Sequence, residues 1–71
     1  MQAKSPLHHL RGYQKKLIFK RIDEVIATQG VRDKRLIFAA LRDKYFDEGG
    51  IPERLVTPYY FAISTTLHKL R

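Results

Sequence analysis

The sequence predicts an all-α fold, a small three- to four-helix bundle. Three observations lead there. Apolar residues recur at intervals of three and four in successive windows, the period of one helix face rather than of a strand. Glycine and proline fall between those windows, at Gly30, Gly49–Gly50, Pro52 and Pro58. The 71 residues are 44% hydrophobic and 30% charged, the composition of one folded domain rather than a disordered chain.

Residues 1–12 hold Pro6 and Gly12 without periodicity, which predicts an extended basic arm whose Leu7 and Leu10 can tuck against the core. The first helix is expected over about 13–29. Ile18, Ile22, Val25 and Ile26 form its apolar stripe with Phe19 at the edge, and Gly30 supplies a left-handed stop. The second is expected over about 33–47 with Asp33 as N-cap. Ile37, Phe38, Leu41 and Tyr45 mark one face, and Leu36 and Ala40 nearly the opposite one, so this helix is expected to be central and packed on two sides. "DEGG" ends it. "IPERLVTP" then offers two helix starts: Pro52 for a short helix over 52–56, and Thr57 followed by Pro58 for a helix over 58–71. Tyr59, Tyr60, Ile63, Leu67 and Leu70 would face inward. "YYFAISTTL" is also rich in strand-forming residues, so a strand is the competing reading there. Residues 13–71 thus make a single helical domain behind the arm.

Several functions are disfavoured. Without cysteine there are no disulfides, thiolate metal sites or catalytic thiols, which fits a reducing cytoplasm or nucleus. His8–His9 and the isolated His68 lack partners at ligand spacing, so no metal or other cofactor is expected. The adjacent carboxylates Asp23–Glu24 and Asp47–Glu48 look like solvated faces. No nucleophile has an identifiable base, so the chain reads as a non-enzyme. No apolar run reaches the ~20 residues that span a bilayer, and "MQAKSPLHHLRG" lacks the apolar stretch of a signal peptide.

Charge is the strongest functional signal. The net charge is +7, and residues 1–22 carry Lys4, Arg11, Lys15, Lys16, Lys20 and Arg21 with no acid. The seven acids all fall within 23–53, and Arg54, Lys69 and Arg71 follow. Cations in the first half of a helix oppose its dipole. Asp23 and Glu24 can pair with Lys20 but leave Lys16 alone, while Lys15 and Arg21 flank the apolar stripe. These cations and the arm are expected to meet phosphates, because a helix N-terminus already attracts anions.

Residues 51–71 bring a resemblance into view. "PERLV", a turn capped by Thr57, and "YYFAISTTLHKLR" resemble the helix-turn-helix of DNA-binding domains, with Leu55, Tyr60, Ile63 and Leu67 in the anchoring places. A second register, the first helix with Gly30 and the second helix, carries the glycine common in such turns. The resemblance implies that the last helix approaches the major groove. Its outward face would then offer Phe61, Ser64, Thr65 and His68, with Lys69 and Arg71 near the end. Ser64, Thr65 and Thr66 read equally well as ordinary solvent-facing hydroxyls.

The expected function is therefore nucleic-acid binding, with double-stranded DNA favoured over RNA, in a transcription-regulation, replication or mobile-element setting. The alternative is a protein-docking module that receives an acidic amphipathic segment through Phe61 and its basic surroundings. Leu36 and Phe61 also suit a protein interface, including one between two copies of the chain.

Overall fold

A computed structural model describes residues 6–70. It contains α1 (Gly12–Gln29), α2 (Lys34–Tyr45) and α3 (Glu53–Lys69), with no strand among the described residues. Each helix packs against both others. Gln14, Leu17 and Arg21 of α1 share a cleft with Leu55 and Tyr59 of α3. These two helices therefore start at the same end of the bundle, and α2 runs back beside them.

The core follows the helical stripes. Ile18, Ile22 and Val25 come from α1, Ile37 and Leu41 from α2, and Tyr59, Ala62 and Ile63 from α3. Leu7 and Ile51 close the cluster from outside the helices. Phe38 and Tyr60 stack across α2 and α3 with ring centroids 4.4 Å apart. Phe46 meets Tyr59 edge-on at 5.9 Å. These offset and T-shaped geometries suit the ring quadrupole.

The boundaries have local causes. Gln14 Oε1 accepts the Arg11 backbone N–H at 3.0 Å, anchoring the start of α1. Gly30 ends α1 at φ 67°, its N–H donating to the Ile26 carbonyl at 2.8 Å. Only glycine adopts that conformation without cost. Asp33 caps α2 by accepting from the N–H groups of Arg35 at 2.9 Å and Leu36 at 3.2 Å. Gly50, at φ 75°, turns the chain toward α3, its N–H donating to the Asp47 carbonyl at 2.7 Å.

Four expectations are corrected. Residues 6–10 form a turn, closed by Leu10 N–H to the Leu7 carbonyl at 3.0 Å, rather than an extended arm, because Leu7 is drawn into the core. Lys4 lies outside the described residues. Second, α2 packs against both other helices and Ala40 lies partly buried against the core, but the side expected to be covered at Leu36 is open, with Leu36 56% exposed. Third, the two helices expected over 52–56 and 58–71 are one helix, so the turn at Thr57 that carried the helix-turn-helix likeness does not form. The reason lies in the stripe: Leu55, Tyr59, Ala62, Ile63 and Thr66 continue one face straight through Pro58. The proline removes one hydrogen bond in the second turn of α3, a loss that packing of this face offsets, and its ring is itself buried. The second helix is also shorter than its expected 33–47, ending at Tyr45. The glycine-containing register does contain a short connection, residues 30–33, between α1 and α2.

Ile22 sits fully enclosed at the centre of this core. Ile22→Ala is expected to lower unfolding free energy by about 2–5 kcal/mol. Urea denaturation followed by circular dichroism checks this; a loss under about 1 kcal/mol would contradict the packing described.

Candidate nucleic-acid interface

The first turns of α1 hold Lys15, Lys16 and Lys20 behind the cap residue Arg11, with no acid in the first turn and no cation in the last. This arrangement opposes the helix dipole. Each such cation costs about 0.3–1 kcal/mol at most, and the Lys16–Lys20 repulsion adds a few tenths. Burying Ile18, Ile22 and Val25 contributes roughly 1.5–3 kcal/mol each, so packing holds the helix despite its charge.

Among the described residues, none of these four cations forms an ion pair; the one ion pair is Arg42–Asp43 at 3.3 Å. Lys20 acts on Glu24 only at longer range, as a minor cause of that carboxyl's lowered pKa. The larger cause is the Tyr45 hydroxyl, which donates to Glu24 Oε2 at 2.7 Å and has its own pKa raised in return. Glu24 is therefore engaged with Tyr45 of α2, and the ammonium groups ahead of it face solvent with Lys15 half-covered.

Arg21 departs from the expected set. Its guanidinium lies 4.5 Å from the Tyr45 ring centre and 5.8 Å from that of Phe46. Its Nη1 donates to the Tyr59 hydroxyl at 3.1 Å, and its Nε is buried without a hydrogen-bond partner. This cation joins α1 to the end of α2 and to α3. It is spent inside the fold. Sequence alone placed Arg21 at the stripe's edge but could not reveal the aromatic residues of other elements around it.

The outward face of α3 is largely as expected. Phe61 is 38% exposed and His68 and Lys69 are exposed, while Ser64 and Thr65 are half-buried. The Thr65 hydroxyl donates to the Phe61 carbonyl at 3.0 Å, which leaves its oxygen as an acceptor. Tyr59 and Ile63 are enclosed and Tyr60 and Leu67 partly so, but Leu70, expected inward, is exposed. Thr66 is buried rather than solvent-facing, and Ala62, absent from the expected core, is fully enclosed. Both lie at stripe spacing, which was the available signal. Arg71 lies outside the described residues. Leu36 lines an open groove with Val31, Ala39 and Ala40. Exposed Tyr13 and Leu17, one turn apart on α1, were not anticipated as surface residues.

Among the described residues no cluster of His, Asp and Glu could hold a metal ion, and no helix is long and apolar enough to cross a membrane. The chain matches no protein-family model, no curated protein and no solved structure.

Two outcomes test this geometry. Arg21→Lys, which keeps the charge but loses the planar fork, is expected to cost about 1–2 kcal/mol of stability by urea denaturation. Tyr45→Phe is expected to raise the Glu24 pKa toward the ordinary carboxylate value in a carboxyl NMR titration. Glu24's depressed pKa contributes stability above its unfolded value, lost as pH falls through the lower folded one. Tyr45's raised pKa contributes below the ordinary phenol value, lost as pH rises through the higher folded one. The pair therefore stabilises the fold across the range between, and an unmoved Glu24 titration in Tyr45→Phe would refute the link.

Proposed function

We propose that this chain is a nucleic-acid-binding domain, with duplex DNA the favoured partner, that holds the phosphate backbone with the first half of α1. The observation that carries this reading is the set Arg11, Lys15, Lys16 and Lys20: cations without internal ion pairs among the described residues, spread over the N-terminal half of α1. The helix terminus there presents N–H groups without intrahelical partners, and the ammonium groups add charge where the dipole already favours an anion. Lys4 precedes the same end in the sequence. Arg21 in this reading supports the site by holding α1 against α2 and α3 rather than by touching phosphate.

The outer face of α3 provides the second contact surface. Ser64 and His68 can donate or accept at base edges, Thr65 can accept, and Phe61 can lie against a thymine methyl. Lys69 and Arg71 would extend the phosphate contacts. The short connection 30–33 between α1 and α2 supports the helix-turn-helix likeness in its glycine-containing register. A regulatory, replication or mobile-element role is consistent with such a domain.

Titration of labelled duplex DNA across a series of salt concentrations tests the proposal. Four phosphate contacts predict a slope of log K against log salt of about −3 to −4. Lys16→Glu with Lys20→Glu should reduce that slope by about 2 and weaken binding more than about tenfold. A flat salt dependence, or unchanged affinity in the double variant, would overturn the reading.

A further inference from the structure

The open side of α2 holds a second surface, separate from the cations of α1. A groove of about 440 Å³ is floored by Val31, Leu36, Ala39 and Ala40, with Gln29, Asp43 and Lys44 at its margins. Leu36 is the most exposed large aliphatic side chain among the described residues, and the two alanines beside it leave room for another helix to approach closely. Water-facing leucine at the edge of an apolar groove is the arrangement that helix-in-groove recognition uses.

Charge around the groove selects the occupant. Arg35 stands one turn before Ala39, Lys44 one turn after Ala40, and Arg32 just ahead of the cap; all three are exposed. Two carboxylates also lie here: Asp33 accepts the N–H groups of Arg35 and Leu36, and Asp43, itself on the groove margin, is offset by its ion pair with Arg42, so the surroundings stay net basic. A second copy of the chain fits poorly. Antiparallel packing about a two-fold axis between Ala39 and Ala40 would set Arg35 of each copy against Lys44 of the other, on chains that each carry +7.

We propose that this groove receives an acidic amphipathic helix of a partner protein. Its apolar residues seat against Leu36, Val31 and the two alanines, and its carboxylates lie toward Arg32, Arg35 and Lys44. The 12 residues of α2 span about 18 Å, so the matching segment is about three turns long, with apolar anchors at i, i+3 or i+4, and i+7. This surface stands or falls independently of the phosphate-holding face.

The test is selection of a phage-displayed library of random 16-residue peptides against the folded chain. The expected winners combine those anchor spacings with flanking Asp and Glu, and they shift the amide resonances of Val31, Leu36, Ala39, Ala40 and Lys44. Their affinity should fall about tenfold for Leu36→Asp and severalfold for Arg35→Glu. It should hold for Lys16→Glu, which is expected to weaken DNA binding. Leu36→Ala provides a milder second variant, and circular dichroism confirms that each stays folded. No enrichment, basic or aperiodic winners, binding indifferent to Leu36, or a dimer in sedimentation whose interface is this groove would each overturn the proposal.

Discussion

Arg21 organises the rest of the molecule. Its guanidinium rests on the Tyr45 ring and near that of Phe46, and it donates to the Tyr59 hydroxyl, so one side chain reaches from α1 to α2, its following connection and α3. No carboxylate pairs with it among the described residues. A planar, weakly hydrated cation tolerates an aromatic setting that an ammonium group would resist, because desolvation costs it less and the ring faces offer a compensating field. The Tyr45 hydroxyl passes the same contact on to Glu24. Five side chains, Arg21 and Glu24 of α1, Tyr45 at the end of α2, Phe46 just after it and Tyr59 of α3, are thereby held together beside the middle of α1.

That fixture separates the cations of α1 into two kinds. Arg21 is held internally, and the carboxylate one turn beyond Lys20 is held by Tyr45. What remains in front is a run of ammonium groups that the fold neither needs nor neutralises. A helix carrying charge against its own dipole loses only a little stability relative to three enclosed aliphatic residues, so folding exerts little pressure to remove it. The placement is then free to serve an external polyanion. The same reasoning separates α1 from α2, where Lys44 and Asp43 border an apolar groove and Arg32 and Arg35 stand near it.

The course of α3 shows how packing overrules a local signal. Thr57–Pro58 is a strong start in isolation, and in other surroundings it would begin a helix. Here the apolar face runs unbroken from Leu55 to Thr66, and burying it outweighs the backbone hydrogen bond that Pro58 forfeits in the second turn. One continuous helix buries more than two short ones separated by a turn. The outcome moves the only short glycine-containing connection between described helices to residues 30–33, between α1 and α2.

The sequence by itself pointed to helices, with a strand still competing over "YYFAISTTL", and determined the stripes Ile18–Ile22–Val25 and Ile37–Leu41, the stop at Gly30, the Asp33 cap and the acid-free basic beginning. Each depends on residues close together along the chain, where periodicity, capping chemistry and dipole act. Only the tertiary structure decided that α3 runs through Pro58, that Leu7 belongs to the core, that Arg21 is enclosed by rings from distant elements, and that one side of α2 stays open. Those outcomes turn on which surfaces compete for burial once three helices meet, a competition between residues 20 to 50 positions apart that no local pattern encodes.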